Sequence, residues 1–368
     1  MKIFFVILLL GHGLIHLMGF AKGYELASLT QLKIPISRRA GLLWLGAAVL
    51  YTAAGLMFAL SVESWWAPCI PALILSQALI IRSWSDAKFG TVANIIVLVP
   101  LVIAVMNALP SGYRNTYRRE VQQSLARIAS RPVVREEDLG RLPGIVRRYL
   151  RIVGVIGKPA PRNVRSRWEG QMRRDIDGKW MDIRAEQYDF FDAPERMFYI
   201  ESSIFGIPFD GLHIYRSGSA TMKIKVASLI QVADAKGPEM NHGETVTLFN
   251  DMCLLAPATL ISDSIRWDSL APSAVRATFT TSGITIRAEL YFNELGELNG
   301  FHSEDRYQST DGVVYNKYGW STPVGRYRDF GGVRAASYGE AIWHTPRGDF
   351  AYAKFNLREI ETDCVEYK

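Results

Sequence analysis

Two histidines, His12 and His16, stand one helical turn apart inside the first apolar run of this 368-residue chain, with Gly11 and Gly13 beside them. Polar groups at membrane depth are costly and need a reason, and glycines let a second helix approach closely. Three readings stay open: interhelical hydrogen bonds that lock the packing, a proton or ligand relay, and a metal or haem ligand pair. Bis-histidine haem takes ligands from two helices, and His213, His242, His302 and His344 all lie beyond the apolar region. No metal and no cofactor is therefore expected. A second group is Arg147, Arg148 and Arg151, on one side of the amphipathic stretch 142–155, opposite Ile145, Val146, Tyr149, Leu150 and Val153. Arginine pairs bidentately with phosphate, so these are headgroup-binding candidates, with a solvated helix face as the alternative. The third is the run WSTPVGRYRDF at 320–330, with Arg306 and Tyr307 upstream. Arg306, Tyr307, Trp320, Arg326, Tyr327 and Arg328 are candidates for a cavity mouth that binds an anionic headgroup. Aromatic–arginine stacking at an exposed sheet edge is the other reading.

No glycine-rich phosphate loop, His-Glu-x-x-His, Cys-x-x-Cys or Gly-x-Ser-x-Gly elbow occurs. An active site assembled across strands is still conceivable, but no catalytic residue is nominated and the expectation leans away from an enzyme. Cys69, Cys253 and Cys364 are the only cysteines; a Cys253–Cys364 disulfide is left open.

The elements that must position these residues fall into two kinds. Residues 1–111 carry seven Lys/Arg and three Asp/Glu among four apolar stretches, at 3–20, 40–60, 65–81 and 89–109. A bilayer takes about 20 helical residues, so four spans are expected, the first uncleaved. Lys22, Lys33, Arg38 and Arg39 follow the first stretch, nothing basic follows the second, and Arg82 and Lys88 follow the third. Positive loops stay cytoplasmic, which puts both ends of the bundle outside. Residues 112–174 then hold 16 basic and 5 acidic side chains, and residues 175–368 hold 19 and 28. A basic neck directly after a span meets anionic headgroups; a nucleic-acid partner is not expected. The stretch 115–130 reads as an amphipathic helix. Beyond residue 164 the period shifts from 3.6 to 2, most plainly where Ile284, Ile286, Ala288, Leu290 and Phe292 alternate with polar residues. Turn signals separate strands at 275–281, 300–307, 313–321, 333–343 and 350–361. One helix interrupts them at 243–261. The expected fold is a four-span helical bundle (1–110), a basic helical neck (111–160) and an α+β domain (161–368) dominated by a curved, half-barrel-like antiparallel sheet.

Several blocks carry a resemblance: GHGLIHLMGF (11–20), SQALIIRSWSDAKFGTVAN (76–94), LPGIVRRYLR (142–151), LAPATLI (255–261), DRY (305–307) and GEAIWHTPRGDFAYAKFNLREI (339–360). In this order they resemble an uncharacterised bacterial family of membrane-anchored proteins, and the resemblance implies no activity. The strand pattern is more loosely similar to the half-barrels of periplasmic lipoprotein carriers. Asp251-Met252-Cys253-Leu254 departs from the acidic-aromatic run more usual there. The expected role is a multi-pass protein of the bacterial cytoplasmic membrane whose extracytoplasmic domain binds a lipid or other apolar ligand. Its expected partners are the bilayer, that ligand or, in a second reading, another envelope protein.

Overall fold

The computed structural model describes residues 2–127, 131–204 and 207–368, with no side-chain description for residue 204. It divides into two compact units, Met1–Leu109 and Pro110–Lys368.

In the first unit, α1 (Lys2–Gly23), α2 (Arg38–Ala59), α3 (Trp66–Arg82) and α5 (Gly90–Ala108) are joined by short segments, including the single turn α4 (Trp84–Ala87). Counted with the 3-10 turn before α3 and the continuation after α5, four helices are long and apolar enough to cross a membrane. α1 packs on α2 and α5, and α3 packs on the same two, so the helices close a ring. Leucines and isoleucines such as Ile3, Ile7, Leu14, Ile74 and Ile95 face outward, while His12, His16, Ser76 and Asn94 are buried. An apolar exterior around a polar seam is the arrangement a hydrocarbon solvent favours. The seam is fully bonded. His16 Nδ1 donates to the His12 carbonyl at 2.7 Å and its Nε2 meets Ser76 Oγ at 2.9 Å. His12 Nε2 and the Tyr51 hydroxyl both reach Asn94 Oδ1, at 2.9 and 2.8 Å. No group of metal-ligating side chains occurs among the described residues.

The second unit opens with α6 (Tyr113–Leu125) and α7 (Gly144–Ile152). The end of the helix expected at 115–130 falls on residues 128–130, outside the described set. Thirteen strands follow: β1 (Asn163–Met172), β2 (Met181–Phe190), β3 (Glu195–Ile204), β4 (Ile207–Arg216), β5 (Ser219–Val226), β6 (Ile230–Lys236), β7 (Ile265–Ala271), β8 (Ala274–Thr281), β9 (Ile284–Phe292), β10 (Leu298–Gln308), β11 (Asn316–Asp329), β12 (Arg334–Thr345) and β13 (Gly348–Thr362). They make one antiparallel sheet in the order β6-β5-β4-β3-β2-β1-β13-β12-β11-β10-β9-β8-β7. Two meanders are thus joined at their middle by β1 and β13, in register from Val164 opposite Thr362.

The crossover from edge β6 to edge β7 is α8 (Pro238–Leu255). It packs on β4, β5 and β6 and also on β9, β10 and β12. Strands so far apart in the sheet meet one helix only because the sheet curls around it. α8 is accordingly buried on all sides, from Met240 to Leu255. It starts five residues before the expected position because Gly237, at φ 104°, breaks the strand and Pro238 begins the helix. The last expected residues, 257–261, form a separate 3-10 turn. α6 lies on the other face of the sheet, where Tyr117 and Val121 pack on Tyr188, Met197, Tyr199 and Leu212. Cys253 and Cys364 are free, buried thiols in different clusters, so the disulfide left open above is absent.

Candidate functional site

The concave face of the sheet carries a polar centre that the local alternation builds. In β2, Gln187 and Asp189 share this face; in the paired strand Arg196 stands opposite Asp189 and Phe198 opposite Gln187. His213 of β4 is opposite Phe198. Two turns of α8 bring Glu244 and Asp251 to the same side. Arg196 binds both carboxylates, donating from Nε to Asp251 at 2.8 Å and from a terminal nitrogen to Glu244 Oε2 at 3.0 Å. Its other terminal nitrogen donates to Gln187 at 3.0 Å, and the Gln187 amide bridges Asp189 and Asp251 at 2.6 and 2.8 Å. Burial opposes ionisation of Glu244, but Arg196 above all, with His213 and Arg306 beside it, holds the carboxyl down at about 2. Burial pushes Asp251 up against the pull of Arg196. Burial, then the neighbouring Asp251, pushes Asp189 well above the carboxylate range. The two buried aspartates are thus both harder to ionise than Glu244, and Asp189 is the more strongly disfavoured.

One corner of this centre is incomplete. Glu244 Oε1 has His213 Nδ1 and an Arg306 terminal nitrogen each at 3.7 Å, beyond hydrogen-bond reach. His213 Nδ1 and Arg306 Nε are buried with no hydrogen-bond partner. The Arg306 guanidinium lies over Trp320 at 4.2 Å and Trp343 at 5.3 Å. Beside it Gly243 presents bare backbone; a Cβ there would sit 3.8 Å from Arg306 Nε. Next to the polar centre runs an apolar strip: Ile183, Ala185, Phe198 and Ile200 are buried, and Trp168, Met172 and Phe355 are partly so. Trp168 also packs on the cluster that holds Leu255, and Met172 and Phe355 on the main core.

Of the residues nominated from sequence, Arg306 and Trp320 come together here. Tyr307 is nearby, its ring 6.4 Å from that of His242. Alternation along β11 separates the rest. Tyr327 turns inward and donates to the Leu298 carbonyl at 2.9 Å. Arg326 and Arg328 are exposed on the opposite side, over Tyr338 and Phe330. Arg148 donates to the Glu294 carbonyl, Arg151 pairs with Glu136, and Arg147 is half-buried. α7 itself is anchored in the core, where Tyr149 donates to the Cys253 carbonyl at 2.8 Å. Arg196, His213, Glu244 and Asp251 carried no motif; their only signal was a charged side chain within an apolar strand or helix.

On the outer face, an open groove of about 700 Å³ crosses β1–β3 and β12–β13. Glu169, Arg184, Glu201, Lys354 and Arg358 make it polar, and Glu169 and Arg358 pair at 2.9 Å. The large groove is therefore not the apolar cavity anticipated from the strand pattern.

A model described as "Family of unknown function (DUF6544)" matches residues 132–355. The chain belongs to this family. The resemblance carried by the blocks at 142–151, 255–261, 305–307 and 339–360 is thereby confirmed. The chain is also similar to two solved structures. One is a LolA superfamily protein from Nitrosomonas europaea, 8% identical, covering 59% of this chain and 91% of that one with a TM-score of 0.34. The other is a DUF1329 family protein from Desulfovibrio piger, 11% identical, covering 60% and 90%, with a TM-score of 0.35. No curated protein matches the sequence.

Proposed function

We propose that this chain is a binding protein of the bacterial cytoplasmic membrane, anchored by four spans, whose extracytoplasmic β domain takes a lipid or other apolar ligand on its concave wall. The observation that carries the reading is the apolar strip in which Trp168, Met172 and Phe355, all partly open, flank the buried Phe198. Burying an acyl chain there removes apolar surface from water at about 25 cal/mol per Å². The test is photolabelling of the full chain in nanodiscs with a diazirine-bearing acyl probe. Labelled peptides from β1, β3 and β13 are expected, and Phe198→Asp should abolish them. Labelling confined to the spanning helices sinks the reading. A second reading, docking of another envelope protein, draws on the exposed Ile207, Leu229, Ile230 and Val232 beside the unpaired edge of β6.

A further inference from the structure

The incomplete corner of the polar centre specifies more than an apolar ligand. Arg306 Nε, a donor, and His213 Nδ1, a donor in the tautomer that turns its N–H toward Glu244, lack partners, and one acceptor, Glu244 Oε1, has both side chains close to it but bonded to neither. Unmade hydrogen bonds of buried groups are costly, and these groups surround one corner: His213 Nδ1 and an Arg306 terminal nitrogen each lie 3.7 Å from Glu244 Oε1, and Gly243 adjoins Arg306 Nε. A group that fills it must accept two hydrogen bonds and donate one. A hydroxyl has that inventory: one proton to give and two lone pairs. A carboxylate or phosphodiester does not. It has no proton to offer Glu244 Oε1 and would bring a second negative charge against it, where Arg196 is already engaged with Glu244 and Asp251.

We propose that the gap between Glu244, His213 and Arg306 takes the hydroxyl of a neutral amphiphile whose chain lies along Trp168, Met172, Phe198 and Phe355. This rests on the ligand-binding reading above and names its substrate class; it also replaces the anionic headgroup expected from the arginine and aromatic residues alone. Arg306 is then a donor held in place by the faces of Trp320 and Trp343, with Glu244 screening it from anions.

Gly243 supplies a test that spares the fold. A methyl group there stands at ordinary contact distance from Arg306 Nε, and alanine is the better helix residue, yet it occupies the space the hydroxyl needs. The experiment uses the full chain in nanodiscs and the acyl photoprobe, competed with 1-monopalmitoylglycerol, palmitate and hexadecane. In the wild type, monopalmitoylglycerol should compete about tenfold better than either of the others, the worth of about one net hydrogen bond. Gly243→Ala should erase that preference while leaving chain labelling in place, and Arg306→Met should do the same. Palmitate competing as well as the glyceride, or a preference that survives Gly243→Ala, overturns the proposal; the second result means that the gap holds water only. Absence of labelling on β1, β3 and β13 removes the binding site and this proposal with it, whereas labelling without a hydroxyl preference removes the proposal alone.

Discussion

Arg196 is the side chain on which the buried charges of the concave polar centre depend. It bonds Glu244, Asp251 and Gln187 at once, and all of them are buried. Arg196→Met should lower the stability of the β domain by about 3–5 kcal/mol, because it strands two carboxylates away from water. Denaturant unfolding of the full chain in detergent, followed by near-ultraviolet circular dichroism, measures this. The carboxylates also set opposite pH dependences. Glu244 is depressed to about 2, so its contribution is present above the unfolded value of about 4.3 and fades as pH falls toward 2. Asp189 is raised; below about 4 it is protonated in both states, and above that the unfolded chain alone gains by ionising. Asp189→Asn should therefore stabilise the protein increasingly from pH 4 to pH 8, read as a widening gap in thermal midpoint. A constant gap would mean that Asp189 ionises in the fold. None of these residues stood out in sequence, since partners 48 and 55 positions apart share no spacing rule. Arg306 and Trp320 did, because aromatic residues and arginine stack wherever a strand brings them together.

Among the elements, the strands after α8 were the most legible. β8 and β9 run as expected because alternation and a Ser282-Gly283 turn determine them together. α8 was harder. Its sequence is apolar and polar all round, as befits a helix enclosed by a sheet, so periodicity could not locate its start. The backbone locates it instead. Gly237 adopts φ 104°, ψ −176°, a region essentially reserved for glycine. Gly237→Ala should cost about 1–3 kcal/mol and loosen the β6–α8 junction, visible as faster amide exchange along α8. Arg147, Arg148 and Arg151 show the converse limit. Their helix face was read correctly as polar, but the partners of Arg148 and Arg151, Glu294 and Glu136, come from distant or irregular segments that amphipathicity does not reveal.

At the scale of the whole molecule, charge bias in the loops leads to an experiment. A reporter active only outside the cytoplasm should function when fused after Tyr113 and stay silent within 35–39; the reverse pattern would place the β domain in the cytoplasm. The structure divides into two compact units where the charge distribution of the sequence changes abruptly, near residue 110. The strand order was not legible in the sequence, because nothing in a local pattern says that β1 will pair with β13. That pairing has a consequence for synthesis. The final strand in chain order lies at the centre of the sheet, so a nascent chain carries a first half-sheet with an open β1 edge until the last segment emerges. Long-range closure of this kind is slow, and the β1 edge stays unpaired in the interval. A stop codon just before Gly348 would then not trim the protein gradually: it would leave the four-helix bundle made and two half-sheets that never join.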